Sequence, residues 1–400
     1  MRDIVVIILL ALSVHCTSAH AQNSGVQDPA QAYQQYQWIK VNTHSHSSDS
    51  DAIGIGSDPT QIVTQNLKHF DAVILTDHGG HLTWTEWLEQ LALAMHYVVG
   101  KVCLRGFEVT GTEELSNTST KDPAYQHGWG HLLVVNTSNY TDRRTFGNGQ
   151  PPQILETFTQ CKDWLIQQGG LAIFAHPSLY MIEESFDGFA PPRNHAEITH
   201  MVGCELGAHS LRFVGLGDGV TLRSSNEACF RKLLRAGWHV GAYNGGDEHI
   251  PPFGNTNTVT GMWVKTLTAD GIFEAMRARR TFASEEPRAM IQLTATSSDR
   301  TAIMGETLNV EQELIVHARC LSDTSAVSRI DLVFLSSKEA LQDVVQTSQP
   351  LHEKDEHWGT IVNQQDLHDH NIILVYAKAQ LTNGRSLVSS PIWINEQNTP

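Results

Sequence analysis

Between Trp38 and Ser284 one pattern recurs: a short apolar run, a polar loop, then an amphipathic stretch. The runs are DAVILT (71–76), KVCLRGF (101–107), LAIFA (171–175), MVGCEL (201–206) and HVGAY (239–243). Runs that short and that evenly apolar suit strands covered on both faces, because a strand with one wet face alternates. The stretches between them read as helices. TWTEWLEQLALAMHYVV places Trp84, Leu88, Leu91, Met95 and Val98 on one predicted inner face. PQILETFTQCKDWLIQQGG places Leu155, Phe158 and Leu165 on another, opens near a Pro and stops at Gly169-Gly170. Strand, loop, helix, strand implies an α/β domain over residues 37–284, built as a barrel or an open sheet.

After Ser284 the texture changes. MIQLTA, LIVHARC, RIDLVFL, NIILVYAKAQL and SLVSSPIWI are of β length with turn residues between them. Leu314, Val316, Ala318 and Cys320 share one face, as do Ile373, Val375, Ala377, Ala379 and Leu381. SSKEALQDVV is the one helix-like stretch. Residues 285–400 are therefore expected to form a small all-β sandwich. A length of 400 residues agrees with two cores rather than one.

MRDIVVIILLALSVHCTSAHAQ has a charged start, an apolar run too short to span a bilayer, and the small-x-small triplet Ala19-His20-Ala21. Residues 1–21 read as a signal peptide, which implies a secreted or periplasmic protein, and residues 22–36 as a flexible, Gln-rich lead-in. No later stretch is long and apolar enough for a membrane span. The net charge of −16 argues against nucleic acid as a partner, since phosphate backbones are held by clustered Lys and Arg. Cys103, Cys161, Cys204, Cys229 and Cys320 show no CxxC spacing and look like small core residues, with disulfide pairing left open.

Functional residues in α/β folds gather beyond the carboxyl ends of the strands. WIKVN runs into His44 and His46, with Asp51 close behind; DAVILT runs into Asp77-His78; KVCLRGF runs into Glu108. LAIFA leads to His176, and HVGAY leads through NGGDEH to Asp247 and His249. His131 differs, because in GWGHLLVVN it precedes its run. One His or Asp after a strand is usually hydrogen-bonded or solvated. Here nearly every run delivers one to the same rim, and two pairs, His44-x-His46 and Asp247-x-His249, have the one-residue spacing that lets a loop grip one ion. Imidazole mixed with carboxylate suits Zn, Mn or Fe.

In chain order, HSHSSDSD, TDH, the Glu of GFEVTG, GH before a strand, AHP and GGDEH span about 210 residues. Together they resemble the polymerase and histidinol phosphatase (PHP) superfamily of metal-dependent hydrolases. RRTFAS followed by strands ending in SSPIWI resembles its CehA/McbA-like branch. NGGDEH departs from the Gly-Ser-Asp-x-His run of many members but keeps the Asp and His. The resemblance implies a distorted seven-stranded (β/α) barrel with about three divalent ions per chain. It assigns as metal ligands His44, His46, Asp51, His78, Glu108, His131, His176, Asp247 and His249. These divide into His44, His46 and Asp247; Glu108, His131 and His176; and Asp51, His78 and His249, with Glu108 bridging the first two sets. Asp77 joins Glu108 and Asp247 in the expected catalytic set, orienting a ligand or a water rather than binding metal.

Three divalent ions set against Asp51, Glu108 and Asp247, with or without Asp77, leave a charge of about +2 to +3. Such a site attracts an oxyanion, and a water acidified by the ions would attack phosphorus in line. The expected activity is phosphoesterase, with a small anionic phosphoester as partner. Carbamate or carboxylic ester hydrolysis stands second, and a binding protein with an inactive metal site third. Glu205 reads equally as a ligand-facing acceptor or a structural carboxylate. His81, His127 and His209 read as surface residues. Arg143, Arg144, Arg193 and Arg223 are loop cations able to hold a phosphate.

Overall fold

The computed structural model describes residues 29–95, 99–111, 129–178, 186–207, 224–254, 258–339 and 343–396. The expected signal peptide (1–21), Val98, His127, His209 and Arg223 lie outside the described residues. Of the expected lead-in, residues 22–28 lie outside the described residues, and Pro29–Ala32 form a short helix. Tyr33 is buried on Trp263, ring centroids 4.6 Å apart, and its hydroxyl donates to the Leu293 carbonyl at 2.9 Å.

The apolar runs become strands β1 (Gln37–Asn42), β2 (Ala72–Leu75), β3 (Val102–Thr110), β4 (His131–Val135), β5 (Leu171–Ala175), β6 (Met201–Glu205) and β7 (Gly241–Tyr243). They lie side by side in that order. β1, β2 and β3 are parallel, as are β5, β6 and β7, whereas β4 runs against both of its neighbours. Strands β2, β4, β5 and β6 are buried along their whole length, as their unbroken apolar runs require. Outside β1, the antiparallel strands β8 (Val259–Val264) and β9 (Thr281–Ser284) extend the sheet.

The C-terminal strands are β10 (Ala289–Ser297), β11 (Arg300–Ile303), β12 (Thr307–Val310), β13 (Glu313–Ser322), β14 (Val327–Ser336), β15 (Val344–Thr347), β16 (Asp355–Asn363), β17 (Ile372–Leu381), β18 (Ser386–Ser389) and β19 (Ile392–Glu396). One antiparallel sheet has the order β11-β10-β13-β16; the other strands continue the large sheet through the β18–β9 pair. Leu314, Val316, Ala318 and Cys320 of β13 share one core with Val375, Ala377, Ala379 and Leu381 of β17. The two C-terminal layers thus face one another across an apolar interior. One of them is physically continuous with the strands before Ser284, so this is not a sandwich standing apart.

The closed seven-stranded barrel is not what the strand pairing shows. The ladder ends at β7, and side chains rather than backbone pairs join β7 to the far edge. Ala242 N donates to Ser390 Oγ at 2.9 Å, Asn244 N to Thr260 Oγ1 at 2.9 Å, and Asn244 Nδ2 to the Ser284 carbonyl at 2.9 Å. Hydroxyls fill the places of ladder partners, and Gly241 has no room to spare: a Cβ there would lie 2.6 Å from Thr281 Oγ1.

Two helical expectations change. The helix Trp84–Ala94 buries Trp87 and Gln90 and leaves Trp84, Leu88, Leu91 and Met95 exposed, the reverse of the face expected. Trp87 packs edge-on against Phe107 at 5.6 Å, and Gln90 is drawn inward by hydrogen bonds to Asp49 and Asp77. The helix Phe158–Gln168 meets expectation, burying Phe158 and Leu165 and ending at Gly169 with φ of 67°. Within SSKEALQDVV, Ser336 ends strand β14 and Val344 opens strand β15, residues 340–342 lie outside the described residues, and a short helix not expected from the sequence lies at Gln364–Asp369. Four of the five cysteines are buried, Cys229 is partly so, and all five are unpaired. Among the described residues no helix is long and apolar enough to cross a membrane.

Beside β7, the ring of His239 stacks on Trp393, centroids 4.4 Å apart and planes at 8°. Burial, with Arg279 and His195 nearby, holds its pKa down at about 4. The unfolded chain therefore binds a proton at His239 between about pH 6.5 and 4 that the folded chain refuses, so stability falls as pH drops through that window. His239→Gln should flatten the acid limb by on the order of 1 kcal/mol, allowing for the ring's exposed edge. Thermal unfolding measured from pH 7 to 4 checks this; parallel curves for the two proteins would refute it.

Candidate metal centre

The parallel strands all point their carboxyl ends to one rim, and the segments leaving them are tied together there by buried polar side chains. Asn42, the last residue of β1, accepts from His44 N at 3.3 Å and Gly246 N at 3.0 Å while donating to Asn66 Oδ1 at 2.7 Å. It thereby joins the exit of β1 to the exit of β7. Asp77, beyond β2, accepts from Ser47 N at 2.6 Å, Ser47 Oγ at 2.8 Å, Ser50 Oγ at 2.6 Å and Gln90 Nε2 at 2.7 Å. Its carboxylate folds the 47–51 loop and acts on the site through that loop. Strand β4 reaches the rim with its first residue because it runs backwards: His131 sits opposite Thr110 on one side and Ala175 on the other.

All nine expected ligands are brought together. Glu108 is their centre, with Oε2 at 3.0 Å from His44 Nε2 and 3.2 Å from His46 Nε2. Its other oxygen, Oε1, is 2.7 Å from His131 Nδ1 and 3.1 Å from His176 Nε2. Asp247 Oδ1 completes the first group, 3.3 Å from His44 Nε2 and 3.2 Å from His46 Nε2. His44 Nε2 and His46 Nε2 are themselves 3.0 Å apart. Two nitrogens and two carboxylate oxygens at these separations outline a tetrahedron, whose edge would be about 3.3 Å around an ion with bonds near 2.0 Å. No arrangement of protons on two imidazoles satisfies every one of those contacts, whereas one cation at the middle does.

The second group is more open. Asp51 Oδ2 lies 3.1 Å from His249 Nε2 and 3.5 Å from His78 Nε2, and Asp51 Oδ1 is 3.6 Å from His46 Nδ1. Among the described residues the ligand-capable groupings are His46, Asp51, His78 and His249; His44, His46, Glu108 and Asp247; and His78, Glu108 and His131. The expected set of Glu108, His131 and His176 differs in having His176, which falls in none of the three, where the structure groups His78. His78 belongs to the Asp51 side, because its Nδ1 is engaged by Thr110 Oγ1 at 2.8 Å, leaving Nε2 to face Asp51. Asp51 and His249, with side chains 30% and 17% exposed, are the wettest of the nine; the others are buried.

The electrostatics follow from that burial. Burial opposes charge on every imidazole, yet Asp247, Glu205 and Glu108 hold His44 well above its usual pKa. His46, His78 and His249 rise to about 9, and His131 alone is pushed down, burial outweighing its nearest carboxylate. Asp51, Glu108 and Asp247 are held below the carboxylate range despite burial, by the imidazoles around them. Metal ions held by these side chains would compete with protons for the imidazole nitrogens.

Groups outside the motifs fix the ligands in place. Glu205, at the end of β6, sits 3.1 Å from His44 Nδ1 and accepts from His176 N at 2.8 Å, so it sets which His44 nitrogen faces inward. Of the two readings its sequence allowed, it takes the ligand-facing one, with His44 as its partner. Asp142 is buried, pushed up to about pKa 7 chiefly by that burial, and accepts from Gly80 N, Thr110 N and Arg143 N. His176 and Asp247 have φ of 26° and 49°, a left-handed backbone that costs non-glycine residues of order 1–3 kcal/mol each. Gly245 lies between them and their supports: a Cβ there would come 2.3 Å from Glu205 Oε1 and 2.5 Å from His44 Cβ. Sequence reasoning missed Asn42, Ser47, Ser50, Gln90, Thr110 and Asp142. Placement one to four residues from an expected ligand, or on the inner face of a helix for Gln90, was the only signal for the first five, and Asp142 had none. His81, expected at the surface, is half-buried on Phe146 at 4.8 Å. Arg193 is committed to Asp163 and Glu197, while Arg143 donates to the Gly111 carbonyl at 3.2 Å, just past β3.

The chain is similar to a solved two-domain protein from Bacteroides vulgatus that contains a predicted PHP-like metal-dependent phosphoesterase. The two are 15% identical and superpose with a TM-score of 0.44 over 93% of this chain and 99% of the other. No family model matches the chain. No curated protein matches it either. Chemistry at the rim therefore rests on the side chains themselves.

Glu205→Gln keeps the shape but removes the charge facing His44 Nδ1, and should weaken metal binding roughly 10- to 100-fold. Gly245→Ala, which drives a methyl onto both partners, should do at least as much. Titration against a competing chelator reads both, and wild-type affinity in Glu205→Gln would remove Glu205 from this role.

Proposed function

We propose that the protein is a metal-dependent phosphoesterase of the PHP type that its motifs resemble, acting on a small anionic phosphoester. The observation that carries this reading is the placement of Glu108: one buried carboxylate presents each oxygen to a different pair of imidazoles, as a bridge between two cations would. His44, His46 and Asp247 would hold one ion, His131 and His176 a second across Glu108, and Asp51, His78 and His249 a third. Such ions, Zn, Mn or Fe by the donor set, would acidify a water and take up the charge that develops on a phosphoryl group.

The chain's own residues then have distinct tasks. Glu205 and Thr110 keep the inward nitrogens of His44 and His78 free to ligate, each by occupying the other nitrogen. Asp77 holds the 47–51 loop so that His46 and Asp51 face the same space. The partial exposure of Asp51 and His249 gives the substrate an approach from their side. No side-chain nucleophile is required by this arrangement, so hydrolysis proceeds without a covalent intermediate on the protein.

Protein purified without added metal should carry about three divalent ions per chain by elemental analysis and lose activity on chelation. Glu108→Gln should lower kcat at least about 100-fold and release more than one ion, since it touches two groups. Asp51→Ala should release one ion and spare the rest; loss of all of them would contradict the division above. Phosphomonoester, phosphodiester, aryl ester and N-methylcarbamate substrates tried side by side decide the reaction class. Turnover of carbamate with neither phosphate would replace this reading by the carbamate hydrolase one.

A further inference from the structure

The loop that carries Asp51 does something the ligand set does not explain: it displays two bulky apolar side chains beside the wet end of the site. Ile53 is 58% exposed and Ile55 is 95% exposed. The loop is not loose. Ile53 N donates to the His249 carbonyl at 2.9 Å, Ala52 N to the Ser47 carbonyl at 3.1 Å, and Ser48 N to the Ser57 carbonyl at 2.7 Å. Gly54 adopts φ of 103° against Pro251, and its carbonyl accepts from Ser57 Oγ at 2.9 Å. Buried Ala52 anchors the near end. Ile53 is therefore fixed two residues from Asp51 and hydrogen-bonded to the backbone of His249, the two most exposed of the nine expected ligands.

Single exposed apolar residues are ordinary, but Ile53 and Ile55 share one hydrogen-bonded loop two and four residues beyond Asp51, one of the two most exposed of the expected ligands, which sets an apolar feature beside a polar site. Elsewhere on the rim the supporting side chains, Asn42, Ser47, Asp77, Thr110 and Glu205 among them, are polar. Water at this mouth gains nothing from the isoleucines, whereas an apolar group on the substrate would remove both from water at little entropic cost, the backbone being already fixed.

We propose that Ile53 and Ile55 form an apolar lip that binds the organic group of the substrate, so that the phosphoester preferred here carries an alkyl or aryl group rather than a polyol. This rests on the phosphoesterase reading and names its substrate class. The phosphate lies over the nine ligands, and the organic group extends toward solvent past Asp51 and His249.

The test uses two esters with similar primary alcohol leaving groups, hexyl phosphate and glycerol 1-phosphate, with the metal-loaded full-length protein. The wild-type protein should favour the hexyl ester by about tenfold or more in kcat/KM, mostly through KM, the scale of one or two buried methylenes. The double variant Ile53→Ser with Ile55→Ser should reduce that ratio about tenfold with an unchanged Tm. Ile361→Ser, an equally exposed apolar residue of β16, should leave the ratio as it was. Equal use of the two esters by the wild-type protein, or a ratio that survives the double substitution, overturns the lip and spares the phosphoesterase. Failure to cleave any phosphoester overturns both. Loss of binding to phosphatidylcholine vesicles with an unaltered ratio would assign the isoleucines to a lipid surface and equally overturn the proposal.

Discussion

Burial of Glu108 is the constraint on which the rest of the rim depends. A carboxylate taken out of water in an apolar interior is unfavourable by several kcal/mol unless counter-charges and donors surround it. Glu108 is 1% exposed and meets four imidazole nitrogens. Glu205 fixes the orientation of one of them, His44, and Thr110 does the same for the neighbouring His78. Their partners, Asp51 and Asp247, add further buried negative charge that needs the same imidazoles. The nest is thus mutually dependent: remove one side chain and a charge is left without its partner. Cations bound in the nest would favour the folded chain over the unfolded one, where no such nest exists.

That dependence explains the departures from regular structure at this rim. β4 is reversed among otherwise parallel neighbours, and the reversal brings His131 to the rim that parallel strands reach with their ends. His176 and Asp247 accept left-handed backbone, each kept there by bonds to other parts of the rim: His176 N to Glu205, Asp247 N to the His44 carbonyl. The ladder stops at β7 just where the chain turns into Asn244-Gly245-Gly246-Asp247. A longer β7 would continue the hydrogen-bonded edge but carry Asp247 away from His44. Hydroxyls of Thr260, Thr281 and Ser390 secure the short strand instead.

The cluster of imidazoles and carboxylates was legible in the sequence because parallel strands send their ends to one rim, where those side-chain types recur. Their supports were not. Glu205 acts on a residue 161 positions away, and Asp142 acts on Thr110 across 32 positions, with no local pattern to mark either. The strands after Ser284 were readable where β13 and β17 alternate or run apolar, and unreadable in β11, β12 and β15, which are four residues long. The helix Trp84–Ala94 misled for a physical reason. Its apolar stripe was assigned inward by hydrophobicity, but Asp77 needs Gln90, and that requirement turned the helix. The same rotation left its apolar face in water, so a misread periodicity became a sign of something outside the core.

Charge sets the remaining problem for an anionic substrate. The chain carries a net −16, so its distant field repels such a molecule, and the attraction offered by a cation-filled nest is screened beyond about 8 Å at physiological ionic strength. Long-range steering is therefore weak, and capture must rely on contacts made at the mouth itself. Phosphate alone would meet only the nest, an attraction shared by every small oxyanion in solution. Apolar contact at the Asp51 and His249 side adds an attraction that inorganic anions do not share and that salt does not screen. If the protein acts on phosphoesters as proposed, the isoleucines would favour esters over free phosphate, and that selectivity should persist at high salt while binding of simple anions declines.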